Sequence, residues 1–428
     1  MYPKKLQPIL NRMAGYNTNV YKIMPLNVDT CTSGKIISVR LPTNCLADLT
    51  SFTMMFDAKV TDATANNFGR LPNRLTSLIE RVEILCGGLT IAQSFNGYGT
   101  AQHIKHIVEG SQCSQRSRHV NNHEDVCLAT NVYGEDISTS DEVYPKSGST
   151  IAKSPTFFIN DWLGFLQELQ PKVLDLGLMS EVMIRITLAS DDVCSVATAN
   201  GAAVAGTAKF ELSNIFFTLN TIAIDGVYED LLEEKIKRDG FLEIPYKQYY
   251  SYFSRHTGST RFSASSQSID KIYTVLRKST YNTQGGAVAV PNGDRVDGHE
   301  FPQNLTKYLE FVPGGVTDYQ YQINNVLYPQ FKAGQMDAYR ALKMCSDKTE
   351  NELSTIHQFL TTHFIFPLRL NCDNQIEHLN GFDSRNTNSI MEFSTTGLDS
   401  TNDYDSFVLV ETTSCLKVGA GKAIEIVL

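Results

Sequence analysis

Apolar and polar positions alternate along much of this chain in short runs separated by polar turns, the period expected of half-buried β-strands. Lys35–Leu41 (KIISVRL) and Leu49–Val60 (LTSFTMMFDAKV) predict the first strands. Val82–Cys86 and Leu89–Gln93 flank Gly87-Gly88, a hairpin signal because two glycines adopt the positive φ of a primed turn. Glu181–Leu188, Phe210–Ile224, Tyr246–Phe253, Lys271–Arg277 and Tyr319–Leu327 continue the set. Thr362–Leu370, Phe407–Thr412 and Ala423–Val427 complete it.

A helical period is confined to a few segments. Tyr98–Glu109 places Ile104, Ile107 and Val108 on one face. Trp162–Leu169 follows a capping Asn160 or Asp161 and stops at Pro171. Tyr228–Arg238 is acidic early and basic late, as the helix dipole favours, with Gly240 as its stop. Met336–Met344 contains Tyr339 and Leu342. Residues 110–155, 195–207 and 278–306 read as long polar or Ala/Gly-rich loops.

Two strings repeat a pattern. Ile79-Glu80-Arg81-Val82 and Ile269-Asp270-Lys271-Ile272 both run apolar, acidic, basic, apolar at the start of an apolar segment. Their separation is about the length of a sandwich domain, so they predict equivalent strands of a duplicated fold. The expected organisation is a basic arm over 1–28, a first sandwich over 29–226, a linker helix over 227–240 and a second sandwich over 241–428. No GxGxxG-type βαβ unit occurs, which argues against a doubly wound fold.

Composition fits this picture. With 42% apolar and 19% charged residues over 428 positions, the chain suits two domains that each bury a core. Tyr (19) and Phe (22) are abundant while Trp occurs once, a bias that favours strands. The net charge of −9 argues against a general nucleic-acid coat. Residues 1–28 run the other way: Lys4, Lys5, Arg12 and Lys22 precede any acid. That arm reads either as a solvated tail or as a segment reaching toward DNA, lipid headgroups or a partner protein. The nine cysteines form no CxxC pair, and MYPKKLQPILNRMAG lacks the apolar core of a secretion signal, so reduced thiols made in a cytosol or nucleus are expected. No apolar run approaches membrane-spanning length. Without a secretion signal, the sequon at Asn304-Leu305-Thr306 reads as chance.

Chemical motifs are sparse. His103 and His106 lie three apart, and His119 and His123 four apart beside Glu124, spacings that metal sites use. HExxH is absent, so exposed polar histidines are the expected reading. Ser147-Gly148-Ser149-Thr150 supplies no GxSxG nucleophile, and Gly419-Ala420-Gly421-Lys422 has the wrong spacing for a phosphate loop and reads as a tight turn. Tyr246, Tyr249, Tyr250, Tyr252 and Phe253 could stack on bases or sugars, but with only Lys247 nearby they predict core or subunit packing. Neither catalytic residues nor a cofactor or metal site is predicted.

Several segments together resemble the double jelly-roll major capsid proteins of icosahedral DNA viruses, of polinton-like virus and virophage type. Leu75–Leu85 with the Gly87-Gly88 turn and Tyr98, Ser268–Ile272, and Ile323-Asn324-Asn325 through Tyr328-Pro329-Gln330 carry the likeness. Asp337-Ala338-Tyr339, Phe364–Leu370, Asn380–Arg385 and Glu411–Val418 extend it to the C-terminal strands. The resemblance implies an all-β chain of two tandem eight-stranded jelly-roll sandwiches with short helices in the connections. It further implies a major capsid protein, made in the host cytoplasm, whose homotrimers form pseudo-hexagonal capsomers that tile an icosahedral virion shell. Expected partners are neighbouring capsomers and penton and minor capsid proteins. The arm (Lys4, Lys5, Arg12, Lys22) would face the interior, toward genome DNA or an internal membrane. The alternatives are a virion attachment or spike protein, a carbohydrate-binding sandwich, and a hydrolase on a sandwich scaffold.

Overall fold

Sixteen strands of the chain pair antiparallel into four sheets. The computed structural model describes residues 17–27, 30–61, 67–72, 74–92, 95–109, 156–198, 209–223, 234–282, 295–296, 299–300, 307–346, 355–376, 378–385 and 390–427. The first eight strands are β1 (Asn17–Ile23), β2 (Ile36–Arg40), β3 (Leu46–Thr61), β4 (Ile79–Cys86), β5 (Leu89–Ala92), β6 (Thr156–Ile159), β7 (Val182–Leu188) and β8 (Lys209–Ala223). The second eight are β9 (Phe241–His256), β10 (Ser259–Ser263), β11 (Ile269–Lys278), β12 (Asp318–Ile323), β13 (Val326–Gly334), β14 (Phe366–Arg369), β15 (Ile390–Thr396) and β16 (Tyr404–Gly419).

The sheets run β1-β8-β3-β6 and β2-β7-β4-β5, then β9-β16-β11-β14 and β10-β15-β12-β13. Each place in the first pair of sheets is taken in the second by the strand eight later. That order is the jelly roll, made twice. Among the described residues, α-helices with fixed bounds are few: α1 (Tyr98–Glu109), α2 (Gln335–Cys345) and α3 (Ile356–Thr361). α1 joins β5 to β6, and α2 and α3 join β13 to β14, so both rolls place helices in the same connection.

The strand order corrects one expectation. Ile79 opens β4, an inner strand of its sheet, whereas Ile269 opens β11, whose counterpart is β3. The duplication is real, but the two strings are not equivalent strands. Four residues of apolar–acidic–basic–apolar pattern mark a strand entering a buried sheet, and any inner strand satisfies that.

Other segments differ from expectation for local reasons. The arm ends earlier than residue 28, because Asn17–Ile23 pairs along β8 from Asn17↔Ala223 to Ile23↔Phe217. Tyr319–Leu327 is two strands, since Asn324 and Asn325 both take positive φ (48° and 69°) and turn the chain. Trp162–Leu169 is no α-helix; only Gly164–Leu166 makes a 3-10 turn, opened by Gly164 at φ 72°. Its outer end is drawn toward the second roll, where the Gln170 N–H donates to the Pro245 carbonyl at 3.0 Å. Ser195–Thr198, read as loop, pairs with Asn67–Arg70. Thr362–Leu370 narrows to β14, preceded by the unforeseen α3, which Thr355 caps through the Gln358 N–H. Residues 110–155, 199–207, 228–233 and most of 278–306 lie outside the described residues; 234–239 are helical, and Gly240 (φ 82°) ends that helix.

Alternation on β3 and β8 puts Phe52, Met54, Phe56, Phe217 and Leu219 into the first core. Phe52 stacks on Phe217 with ring centroids 5.2 Å apart, and Trp162 Nε1 donates to the Phe52 carbonyl at 2.7 Å. The second core is aromatic: Tyr319, Tyr321, Phe364, Phe366 and Phe393 are all buried. Each such side chain contributes roughly 1.5–3 kcal/mol by leaving water. The cores interlock. Ile244, Tyr246, Leu416 and Val418 from β9 and β16 join the first core, while Ala101, Ile104, Ile107 and Val108 of α1 join the second.

Candidate functional site

Among the described residues, buried charges gather at the seam where the two rolls meet. It is built from α1, the 161–170 segment and the sheet face of β9, β16 and β11. An amphipathic helix normally leaves its polar face in water. In α1 every residue from Tyr98 to Val108 is buried, so Gln102, His103, Lys105 and His106 are enclosed with the apolar stripe.

Lys105 Nζ lies 3.0 Å from Glu411 Oε2 on β16 and 3.5 Å from Glu168 Oε1, and it also pairs with Glu109 one turn on. Lys247 Nζ on β9 sits 2.6 Å from Asp270 Oδ2 and 3.7 Å from Glu411 Oε1. Thr413 donates to the same Asp270 oxygen and Ser268 to the other, at 2.5 and 2.7 Å. The Tyr249 hydroxyl reaches both Glu168 oxygens, at 2.6 and 2.8 Å, and the Gly164 N–H donates to Oε2.

Burial by itself would raise the Glu411 carboxyl, yet Lys105, Lys271 and Lys247 together hold it well below the usual range. For Lys105, burial is outweighed by Glu109 and Glu411, and the ammonium is held charged. Glu168 goes the other way, since burial pushes its carboxyl up against the pull of Lys105. The cluster is a ligature between rolls: each charge has a partner on an element it is not bonded to in sequence.

The histidines are placed differently from the sequence expectation. His103 and His106 are buried, not exposed, because α1 is covered on both sides. His106 Nε2 contacts Asp161 Oδ2, whereas His103 faces Phe311 and His363 with centroids 5.5 and 5.8 Å away. They do not converge, and among the described residues no cluster of three metal-ligating side chains occurs. His119, His123, Glu124 and Ser147–Thr150 lie outside the described residues. Gly419–Lys422 is a tight turn, with Gly421 and Lys422 at φ 70° and 63°.

The aromatic run divides. Tyr246 and Tyr249 are buried, with the Tyr246 hydroxyl donating to the Ile91 carbonyl at 2.7 Å. Tyr250, Tyr252 and exposed Phe253 line a cleft of about 700 Å³ between the rolls, together with Glu80, Phe95 and Arg277. Arg277 is already engaged there, donating to Thr100 and Asn282 at 2.9 Å and lying over the Tyr308 ring.

Of the basic arm, Lys22 is described. It is exposed on β1, its Nζ 4.1 Å from the Phe216 ring centroid. Lys4, Lys5 and Arg12 lie outside the described residues.

Sequence reasoning did not single out Lys105, Glu168, Lys247 or Glu411 as a set. A signal existed for Glu411, which interrupts the apolar run Phe407-Val-Leu-Val410 on a strand apolar on both faces. Lys105 carried none, since a lysine between Ile104 and Ile107 looks like any solvated helix residue.

No protein-family model matches the chain, and no curated protein matches it by sequence. Solved structures do match. The PBCV-1 virus capsid is similar over 99% of this chain and 99% of that one, with a TM-score of 0.61 and 10% identity. The Faustovirus major capsid protein matches over 97% and 93%, with a TM-score of 0.59 and 11% identity. A chain of the Sputnik virophage structure matches over 100% and 92%, with a TM-score of 0.53 and 12% identity. At these identities the likeness is one of fold: a double jelly roll, matched nearly end to end.

Proposed function

We propose that this chain is the major capsid protein of an icosahedral DNA virus, acting as a structural subunit of the virion shell. The carrying observation is the repeated strand order 1-8-3-6 and 2-7-4-5 in one chain, in an arrangement similar nearly end to end to capsid subunits. A charged seam that locks the rolls together suits a building block that must keep its shape under load.

Three copies joined in a ring would place six similar rolls around one axis, a pseudo-hexagonal tile. Such a threefold contact is heterologous and closed, and a permanent one buries more than about 2,000 Å² in total. Neighbouring capsomers, penton proteins and minor capsid proteins are the partners this role entails.

Electron microscopy of the purified protein, with mass measurement in solution, tests the reading. The expected result is a six-sided particle of about three times the 47.7 kDa chain mass. The proposal is falsified if the folded chain stays monomeric at the concentrations and salt conditions where shells are made.

A further inference from the structure

Asp270, the acid of the Ile269-Asp270-Lys271-Ile272 string, sits where the ladder between β11 and β16 slips. Ile269 pairs with Thr412 and Lys271 with Glu411, so Asp270 is an extra residue in the ladder. A bulge of this kind re-aims a side chain. Lys247 reaches the Asp270 carboxyl from β9, across Thr413, its own ladder partner on β16.

Lys247 Nζ lies 2.6 Å from Asp270 Oδ2 and 3.7 Å from Glu411 Oε1. With a C–O bond of about 1.23 Å, the Asp270 carboxyl carbon is within about 3.8 Å of Nζ, close to the roughly 3–3.5 Å of a near-attack pair. Both carboxyl oxygens are already held: Thr413 donates to Oδ2 at 2.5 Å and Ser268 to Oδ1 at 2.7 Å. The same donors would hold the oxyanion that develops when nitrogen attacks the carbon.

The site is enclosed. Asp270, Glu411, Thr413 and Ser268 are at most 2% exposed, and Lys247 is 9% exposed. Gly381 closes one side, where a Cβ would lie 2.6 Å from Asp270 Oδ1, and its N–H donates to Ser268 Oγ at 2.9 Å. The 161–170 segment closes the other, with the Glu168 carbonyl accepting from the Lys247 N–H. An ion pair in such a place carries the cost of desolvating two charges, whereas an amide carries none of it. Exclusion of water also slows hydrolysis of an amide once it has formed.

We infer that Lys247 and Asp270 join in an intramolecular isopeptide bond, with Glu411 as the base. The ammonium first passes a proton to the Asp270 carboxylate, giving an amine and a carboxylic acid. The nitrogen lone pair then forms the N–C bond while the C=O pair moves onto oxygen. Glu411 takes the surplus proton from nitrogen and returns it to the hydroxyl, which leaves as water as the C=O re-forms. Ammonium plus carboxylate thus become amide plus water, with no oxidant, no cofactor and no net change of charge. Glu411 ends as it began, still paired with Lys105. The bond straps β9 to β11 across β16, the sheet on which α1 and residues 161–170 rest. It needs one chain only, so it is independent of assembly.

Intact mass spectrometry of the full chain, held folded at neutral pH and then denatured, reads the bond directly. Wild type is expected to be lighter than its sequence by one water, and Lys247→Arg and Glu411→Gln to keep the full sequence mass. Lys247→Arg retains the charge beside Asp270 but has no amine that can deprotonate. Comparing it with wild type removes any processing of the chain ends from the reading. Fragmentation of a digest is expected to give a branched peptide joined at Lys247 and Asp270. Wild type at full sequence mass would overturn the inference and leave a buried ion pair. A water lost at any other position would overturn it too, and Glu411→Gln linked as fully as wild type would overturn the role of Glu411.

Discussion

At the scale of single residues, burial decides what a side chain does. His256 lies enclosed between Thr260 and Thr395, each hydroxyl 2.8 Å from a ring nitrogen, and burial pushes its imidazole from 6.5 down to about 4. Burial does the same to His363, with Arg74 adding to it. A histidine neutral in the fold and protonated in the unfolded chain costs stability in acid: the unfolded state binds the extra proton below pH 6.5, and the penalty grows until the folded group titrates near pH 4. Glu411 acts in a lower window, losing its contribution only as pH falls below 4.5. Melting temperature should therefore decline between pH 6.5 and 4.5, and less steeply in His256→Gln. Equal slopes for the two proteins would mean that His256 titrates normally in the fold. Close approach fixes another residue, Gly381 within the capsid-like Asn380–Arg385 segment. A Cβ there would lie 2.4 Å from the Ile269 carbonyl, where Phe382 and Ile269 bond to each other through their backbones.

At the scale of elements, α1 shows how a pattern can be read correctly and its setting missed. Its bounds, Tyr98–Glu109, follow from the apolar period. Periodicity marks only one buried face, however, and the opposite face lies under the second roll. Lys105 is consequently a structural ion. Lys105→Met is expected to lower stability by about 3–5 kcal/mol, because it strips a buried carboxylate of its nearest partner. Urea denaturation measures this, and a second substitution, Glu411→Gln, should recover part of the loss. A loss under about 1 kcal/mol in the single variant would show the pair to be solvated, as surface ion pairs are. The Gly87-Gly88 hairpin was fully legible, both glycines taking positive φ (57° and 87°), since a two-residue turn is decided by local backbone sterics. The Asn324-Asn325 hairpin obeys the same rule with a weaker residue, so the alternation across it reads as one strand.

At the scale of the whole molecule, the N-terminal segment has two parts. Its second half is β1, and we propose that the part before it, with Lys4, Lys5 and Arg12, faces the shell interior and engages genome, membrane or minor capsid protein. Deleting residues 1–12 leaves β1 intact and is expected to spare trimers while reducing packaging or shell closure; normal yields of filled shells would reduce the arm to a solvated tail. The sequence by itself determined the class of fold, most strands, the hairpin at 87–88 and α1, because those follow from local periodicity and turn chemistry. It also held the likeness to capsid proteins in short ordered segments. Only the tertiary structure decided which strand matches which, since jelly-roll equivalence is set by long-range pairing and not by a four-residue string. It alone placed Lys105, Glu168, Lys247 and Glu411 together, from four elements distant in sequence. It alone showed the second roll's sheet face sealed under α1, because covering is a relation between surfaces and leaves no trace in the period of either.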